Sequence, residues 1–544
     1  MSHPYPRRWQ ALIVLAMSLL VISVGNTILN VALPTIQEEL GASSSELQWI
    51  VDGYMLVYAG LLLAAGTLGD RFGRRRALVA GLVLVAIGSV AAALAGSSTA
   101  LIASRALMGV GAAAIMPTTL SILTNIFPAE ERPKAIAIWA AVAGLGIAIG
   151  PITGGWLIEH VDWSGIFLVN IPAVAACLAG AALLVPESRD PESPRLDLPG
   201  IGLSIAGLSA IVWGLIEAPE RGWTDAVTLA AFAGGAAILA LFVAWERRVA
   251  QPMLDIGVFR NLRFSAASAS ITFVYFALMG VMYFLTTYLQ SVLGHSALDA
   301  GLRMLPIAVG MVIGSRLSVV LARRAGSKLV VTSGLGTVAG ALVMLTSFGL
   351  DTGDGPLALM GAIMGAGIGL AMAPATEAIM GSLSPEKAGI GSAMNDVVRE
   401  AGGTLGVAVL GSVLASAYAT GIAGAVPGLP ADAATAAEDS VGAAHAVAAE
   451  LGGETGAQLV AAANEAFVDA MSTTASIAAA IAVAGALIAA AFLPARAQAD
   501  GSASAHSRRR GDRAGAAAPT STTASTGTSA RLAAATIASG EGAS

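Results

Sequence analysis

Long apolar runs separated by short polar segments recur along almost the whole chain of 544 residues. A run of about 17–25 apolar residues is long enough to cross a lipid bilayer as a helix. The pattern therefore predicts an all-α integral membrane protein with fourteen transmembrane helices. The predicted spans are residues 11–33, 48–66, 77–95, 101–123, 134–157, 164–186, 199–218, 226–246, 264–289, 300–322, 329–350, 356–382, 392–420 and 471–494. An even number of spans places both termini on the same side of the membrane.

The positive charges indicate which side that is. If the N-terminus is cytoplasmic, 25 of the 29 Lys and Arg residues lie in cytoplasmic segments, and this count includes Arg399 near the start of the thirteenth run. Cytoplasmic segments of membrane proteins carry such an excess of Lys and Arg. We therefore predict a multi-pass protein of the cell inner (cytoplasmic) membrane with both termini in the cytoplasm.

The composition supports a membrane protein. The chain is 56% hydrophobic and 12% charged, whereas a soluble domain usually carries about 25% charged residues. The first run, residues 11–33, is longer than the apolar part of a signal peptide, which spans about 7–15 residues. We interpret it as a retained helix. The single cysteine, Cys177, excludes an internal disulfide.

The second part of the chain echoes the first. The segment Arg324–Lys328, between the tenth and eleventh runs, repeats the order R-x-G-x-R/K of residues 71–75. This repeat predicts two six-helix lobes, an arrangement by which many transporters form a cavity at the midplane of the membrane. The predicted units are a cytoplasmic N-terminus 1–10, an N-terminal lobe 11–186, inserted helices 199–246, a C-terminal lobe 264–494 with an external acidic segment 421–470, and a disordered cytoplasmic tail 495–544.

The segment 66–76 between the second and third runs combines glycine, arginine and one aspartate. Glycine permits close backbone approach and a positive φ in a tight turn. Asp70 can face the N-terminal end of a neighbouring helix or pair with an arginine. A plain basic turn on the cytoplasmic side is the alternative. The candidate gate residues are Gly66, Gly69, Asp70, Arg71, Gly73, Arg74 and Arg75.

This loop resembles the signature loop between helices 2 and 3 of the major facilitator superfamily. Further segments are similar to that superfamily and to its fourteen-helix drug:H⁺ antiporter family, of the multidrug efflux type. They are Asn26–Pro34, Trp49–Tyr54, Leu101–Ala112, Gly144–Gly155 and Trp163–Pro172. The resemblance covers about residues 11–494. It implies proton-coupled efflux of lipophilic drugs or antibiotics by alternating access, in which the signature loop locks the lobes.

The fifth predicted helix carries the glycine and proline pattern that the resemblance associates with antiporters. Glycines at a spacing of four residues share one helix face and let a partner helix approach closely. The resemblance implies that this face seals the cavity against leak. The residues concerned are Gly146, Gly150, Pro151, Gly154 and Gly155.

Acidic residues inside the spans are the candidate proton carriers. The family commonly has Asp where this chain has Asn26, and Asn cannot titrate. Ionisable residues within a bilayer mark ion pathways by default. We select Asp52, Arg105, Glu217 and Glu377 for proton coupling. We expect a contact between Asp52 and Arg105, because both lie in the outer halves of their spans.

Polar and aromatic residues of the spans are the candidates for a cavity that holds a small lipophilic substrate. We select Asn26, Asn30, Tyr54, Phe276 and Tyr283. Aromatic and methionine side chains suit varied apolar ligands because they adapt to them. Packing between helices is the alternative for any one of them.

The sequence lacks a phosphate-binding loop, a nucleophile elbow and a zinc-protease motif, and its five histidines lie outside the predicted spans. We therefore predict no enzymatic activity, no cofactor, no metal and no nucleic-acid partner. Transport against a gradient would have to use an ion gradient, and the resemblance implies protons. We expect a monomer in contact with membrane lipid. An importer or uniporter of a metabolite and a non-transporting membrane sensor are the rival functions. The sequence does not name the substrate.

Overall fold

The structure is a computed structural model that describes residues 5–128, 130–189, 197–249, 252, 256–382 and 388–494. They fall in the first of two units of the chain, Met1–Ala497. The predicted tail 495–544 lies outside the described residues. The helices are α1 (Arg8–Leu40), α2 (Ser44–Phe72), α3 (Arg74–Ala93), α4 (Ser98–Ile126), α5 (Arg132–His160), α6 (Gly165–Leu168), α7 (Asn170–Leu184), α8 (Leu198–Arg221), α9 (Ala226–Glu246), α10 (Leu262–Thr287), α11 (Ala297–Arg303), α12 (Leu305–Ala325), α13 (Ser327–Leu345), α14 (Asp354–Met380), α15 (Ala388–Ile422), α16 (Ala431–Asp439), α17 (Val441–Leu451) and α18 (Gly453–Phe492). A 3₁₀ turn covers Ile256–Arg260, and a π turn covers Tyr288–Val292.

The all-helical prediction is confirmed, and each predicted span overlaps one or two helices, although some spans extend a few residues beyond the helix end. Within the described residues, 12 helices are long and apolar enough to cross a membrane. The bent helix α2 raises the number to 13 if its two parts form one span. Helix α5 covers the remaining predicted span, but several of its side chains lie outside the description. The number fourteen therefore stays a prediction.

Local sequence signals set the helix ends. The side chain of Ser43 accepts a hydrogen bond from the Glu46 amide, and the Glu46 carboxylate accepts one from the Ser43 amide. This reciprocal pair satisfies two of the free amides at the start of α2. Helix α1 ends at Gly41, whose φ of 61° lies in the left-handed region that favours glycine. We refer to the end of the bundle that holds this loop as the Gly41 end.

Two helix junctions have the same backbone arrangement, a single glycine with a positive φ. Gly73 alone separates α2 from α3 and has a φ of 124°. Gly326 alone separates α12 from α13 and has a φ of 84°. Because these values are strained for any residue with a side chain, glycine is required at both junctions. The two glycines occupy matching positions of the repeated R-x-G-x-R/K order.

Helix packing repeats in the same way. In the first set of helices, α1 packs on α5 and α7, α4 packs on α2 and α3, and α3 packs on α7. In the second set, α10 packs on α15 and α18, α14 packs on α12 and α13, and α13 packs on α18. These pairings match one to one. Helices α8 and α9 form a hairpin, and α8 contacts α2 and α15.

Hydrogen bonds join the two sets of helices at the Gly41 end. The Gln290 side chain donates to the carbonyl oxygen of Val31 at 2.8 Å. The Leu298 amide donates to the carboxylate of Glu159 at 3.0 Å. Helix α11 also lies directly against α5, where a side chain on Gly155 would meet the backbone of Leu298. This end of the bundle is therefore closed.

The glycine face of α5 packs against α1, as the spacing predicts. Added side chains on Gly146, Gly150 and Gly154 would meet Ser23, Thr27 and Ile28. The Thr27 hydroxyl also donates to the carbonyl oxygen of Gly146 at 3.1 Å. Small residues at such a contact let two helix backbones approach closely.

Gly154→Val should lower the thermal unfolding midpoint, because its Cβ would lie 2.9 Å from the carbonyl oxygen of Ile28. Overpacking of this kind costs about 1–3 kcal/mol. Thermal unfolding of the purified protein in detergent measures the effect. Gly336→Val is the matched control, since a side chain there meets nothing within 4 Å. Equal midpoints for the two variants would contradict the close contact.

Candidate functional site

A buried arginine organises the first set of helices. Arg105 on α4 is 1% exposed. Its guanidinium donates to the carbonyl oxygens of Ile50 at 3.2 Å and Gly25 at 3.5 Å. Its Cζ lies 4.3 Å from the ring centroid of Tyr54. Backbone carbonyls and an aromatic face thus replace the water that this cation would have outside the membrane.

The expected contact between Asp52 and Arg105 is wrong for this structure. Ile50 and Tyr54 are four residues apart and share the face of α2 that meets Arg105. Asp52 lies midway between them and so points away from that face. Its carboxylate is fully buried, and neither oxygen has a hydrogen-bond partner within the described part of the chain. It lies within electrostatic range of Tyr283 on α10, in the second set.

A second charged cluster lies on α15 and was missed by the sequence analysis. Arg399 Nη1 lies 3.6 Å from Asp396 Oδ1, and these side chains are 27% and 13% exposed. Arg399 Cζ lies 4.8 Å from the ring centroid of Tyr275 on α10. Glu400 is the next residue along the chain. Arg399 lies within the candidate membrane span Met394–Ile422, so its place in the count of cytoplasmic charges stays a prediction.

A signal for this cluster was present in the sequence. Asp396, Arg399 and Glu400 fall within the predicted span 392–420, and a spacing of three or four residues places Asp396 and the other two on neighbouring positions of a helix face. Several charges in one span already indicate a functional site. Their partners could not be read from the spacing, because Tyr275 belongs to another helix.

The two clusters approach each other where α2 meets α15. A side chain on Gly403 would meet Met55 on α2 at 3.6 Å and Met279 on α10 at 3.1 Å. The Glu400 carboxylate lies within electrostatic range of Tyr54 and Tyr58 on α2. Those two rings are 5.8 Å apart. The interface between the two helix sets thus carries buried acids, cations and aromatic rings.

The other two predicted proton carriers lie elsewhere. The Glu217 carboxylate forms an ion pair with Arg221 one turn further along α8, at 3.2 Å. Glu377 is exposed on α14, so the expectation that it is buried is wrong. A proton carrier needs shielding from the surroundings. Asp52 is fully buried and Glu400 is half-buried, whereas Glu377 is exposed.

The predicted cavity residues are largely covered in this conformation. Asn30, Tyr54, Phe276 and Tyr283 are each at most 8% exposed. The Asn30 side chain donates to the carbonyl oxygen of Asn26 at 3.4 Å. The side-chain oxygen of Asn26 is buried and has no hydrogen-bond partner among the described residues.

The signature loop is held by ion pairs. Asp70 takes the second of its two predicted roles, because its carboxylate accepts a hydrogen bond from Arg74 Nε at 2.6 Å. Side chains on Gly66 and Gly69 would meet Pro117 and Thr118 of α4. The guanidinium of Arg71 lies over the ring of the adjacent Phe72.

Glu187, just after α7, is a loop partner that the sequence analysis missed. Its carboxylate accepts a hydrogen bond from the amide of Arg75 at 3.0 Å. The Arg74 amide donates to the carbonyl oxygen of Ser188 at 2.8 Å. A carboxylate at the start of α3 is favoured by the helix dipole. No sequence spacing connects these residues, which are more than one hundred positions apart.

The fold and the site together define a polytopic membrane transporter, because two matching sets of spanning helices meet at a charged interface. Residues 15–407 match the family model of the Major Facilitator Superfamily. The chain belongs to this superfamily, which confirms the resemblance and shows a transporter and not an enzyme.

Curated relatives are named as efflux, export and resistance proteins. The chain is 40% identical over 447 residues to the multidrug efflux pump LfrA of Mycolicibacterium smegmatis, covering 82% of this chain and 88% of that protein. It is 34% identical to the tetracenomycin C resistance and export protein of Streptomyces glaucescens, covering 75% and 76%. It is 35% identical to the puromycin resistance protein pur8 of Streptomyces alboniger, covering 77% and 84%.

A solved structure shares the fold. It is a bacterial homologue of the human lysosomal transporter Spinster, crystallised in an inward-facing and unoccupied conformation. The TM-score is 0.64 at 19% sequence identity, and the match covers 91% of this chain and 99% of that one. This likeness shows the transporter fold, whereas the site must be interpreted from the side chains described above.

Arg105→Lys should lower the thermal unfolding midpoint. Lysine cannot donate from a planar fork to two carbonyls while stacking on Tyr54, and an unsatisfied buried group costs about 1–3 kcal/mol. Arg316→Lys is the matched control, because Arg316 lies in a spanning helix but is exposed. Thermal unfolding in detergent compares the two. A loss of equal size in both variants would contradict the assigned role of the Arg105 contacts.

Proposed function

We propose that this protein exports lipophilic drugs or antibiotics across the cytoplasmic membrane in exchange for protons, by alternating access. The observation that carries the proposal is a fully buried carboxylate, Asp52, and a half-buried one, Glu400, near the interface between the two helix sets. The relatives named as efflux and resistance proteins support the direction of transport and the class of substrate.

Protons supply the driving force in this proposal. The chain carries no phosphate-binding loop for ATP, and no cofactor is needed. The membrane potential contributes about 2.3 kcal/mol for each charge that crosses 100 mV. Carboxylates inside the bilayer are suited to load and release protons. Asp52 has no counter-ion among the residues that the structure describes, so a proton is the simplest way to neutralise it, and Arg105 positions the helix that carries it.

The two helix sets are the moving parts. The repeated pairings support the predicted lobes, residues 11–186 and 264–494, with the inserted hairpin 199–246 between them in the chain. With cytoplasmic termini, the Gly41 end faces the outside. The hydrogen bonds at that end correspond to an outside-closed state. The protein works as a monomer embedded in lipid.

The cavity would select its ligands by apolar and aromatic contact. Met279 and Tyr283 on α10 lie close to α2, Phe276 is buried on the same helix, and Asn26 carries an acceptor that is unpaired among the described residues. Such walls suit small lipophilic molecules of varied shape. Because Asn26 carries no charge, attraction for a cationic substrate would come from Asp52 or from the carboxylates of α15.

Asp52→Asn and Glu400→Gln should each abolish efflux driven by a pH gradient, because neither amide can carry a proton. Dye transport in everted vesicles measures this effect. Substrate exchange without any gradient should persist, since shape and polarity are retained. Glu377→Gln, an exposed acid, is the matched control and should behave as the parent. Undiminished gradient-driven efflux in either test variant would remove that residue from the coupling mechanism.

Asp70→Asn should slow turnover while leaving the amount of protein in the membrane unchanged. The loss of one partly exposed ion pair is worth about 1 kcal/mol, or roughly fivefold in rate. Initial rates of dye efflux, normalised to protein abundance, test this prediction. Asp351→Asn, in an exposed turn at the Gly41 end, is the control. Full activity of Asp70→Asn would contradict a gating role for the loop.

A further inference from the structure

The segment between α15 and α18 crosses from one helix set to the other at the Gly41 end. The amide of Ser44 donates to the Asp439 carboxylate at 3.1 and 3.3 Å. The Ser44 hydroxyl donates to the backbone carbonyl of Asp439 at 2.7 Å. The Gln37 side chain donates to the Ser440 hydroxyl at 2.5 Å. These hydrogen bonds therefore join residues of the first helix set to residues nearly four hundred positions further along the chain.

The Asp439 carboxylate occupies the start of α2. Ser44 is the first residue of that helix, and its amide is one of the donors that a helix leaves unsatisfied. The side chain of the N-cap residue Ser43 already accepts a hydrogen bond from the Glu46 amide. Asp439 therefore acts as an additional cap that comes from the other helix set. A carboxylate at this position is also favoured by the helix dipole.

We propose that the Asp439–Ser44 tie is an external latch, which holds the Gly41 end shut and is reinforced by protons from outside. The proposal rests on the proposed function for its alternating access and for the external position of this end. It goes further by assigning a titratable gate outside the membrane-spanning helices. Any separation of the two sets at this end has to break these hydrogen bonds.

The surroundings of Asp439 explain the role of protons. The groups that face it are acidic or phenolic, namely Glu46 on α2, Glu220 at the end of α8, Tyr283 on α10 and Tyr418 on α15. The external segment 421–470 contains no Lys or Arg. Burial, followed by Glu220 and Glu46, raises the pKa of Asp439 to about 6, against the lowering effect of the Ser44 amide.

The direction of the pH effect on closure follows from the difference between the pKa of Asp439 in the open and closed forms. A water-exposed aspartate has a pKa of 3.8, and docking raises the Asp439 value to about 6. The docked form therefore binds a proton more tightly, and closure becomes more favourable as the external pH falls. With these two values, the ratio of closed to open molecules should fall about tenfold between pH 5 and pH 8. Closure promoted by external protons has the direction that a proton antiporter needs.

The experiment measures the opening of the Gly41 end in the full chain, in lipid nanodiscs, without substrate. Spin labels are attached to thiols introduced by Val161→Cys and Leu350→Cys, in a background that carries Cys177→Ser. Both positions lie at this end, one in each helix set, and their side chains are 60% and 47% exposed. Pulsed electron paramagnetic resonance gives the populations of short and long distances between the two labels from pH 5 to pH 8.

Two substitutions at Asp439 separate shape from charge. Asp439→Asn keeps an acceptor without a titratable group. Its ratio of closed to open molecules should match that of the parent at pH 5 and exceed it at pH 8. The tenfold fall in this ratio between pH 5 and pH 8 should therefore be absent. Asp439→Ala removes the acceptor and should open this end about fivefold at pH 5, the factor expected for a lost helix cap.

Ser44 tests the latch from the other helix set, in case Asp439→Ala does not fold. Ser44→Ala removes only the hydroxyl, whereas Ser44→Pro also removes the amide donor. Proline is well tolerated at the first position of a helix, and Ser43 has the extended backbone that proline requires before it. Ser44→Pro should therefore be more open than Ser44→Ala.

The outcomes distinguish the two proposals. If both short and long distances are populated but Asp439→Asn keeps the parent's pH dependence, the proposal that external protons stabilise the closed form is overturned. If they exchange but Ser44→Pro equals Ser44→Ala and Asp439→Ala equals the parent, the latch is overturned while alternating access stands. A single short distance in every variant at every pH would overturn alternating access itself, and the latch with it.

Discussion

An ionised side chain inside a bilayer has no water to solvate it, and the arrangement of this bundle follows from how each such charge is compensated. Arg105 uses two backbone carbonyls and the face of Tyr54. Arg399 uses Asp396 and the face of Tyr275. Asp52 has no hydrogen-bond partner among the residues described. Because an uncompensated charge is costly in a low-dielectric interior, each arginine is held by partners that include groups on neighbouring helices.

Close packing of helices makes this compensation available. The carbonyl oxygen of Gly25 is within reach of Arg105 because α1 lies near α4. The glycine face of α5 brings α1 into place by admitting Ser23, Thr27 and Ile28. In a bilayer, helix association gains little from the hydrophobic effect. Van der Waals contact between small residues therefore supplies a larger share of the stabilisation. The glycines are therefore as important to the charged site as the charged residues.

The two ends of the bundle are held by similar chemistry at different places in the chain. At one end, Asp70 pairs with Arg74, and Glu187 caps the start of α3. At the Gly41 end, Asp439 adds a cap at the start of α2 from the opposite helix set. Contacts within one set brace the loop. Contacts between the sets depend on the conformation, and this difference makes the Gly41 end suited to act as a gate.

The sequence by itself determined the helical class, the approximate position of every spanning helix and the two single-glycine junctions. These features depend on local properties, namely the length of an apolar run and the backbone freedom of Gly73 and Gly326. The tertiary structure decided the partner of each buried charge. It turned Asp52 away from Arg105 and surrounded Arg399 with side chains from two helices. It also placed Asp439 beside Ser44, across 395 positions of the chain. Such contacts depend on which helix faces meet, and no spacing within one helix encodes that.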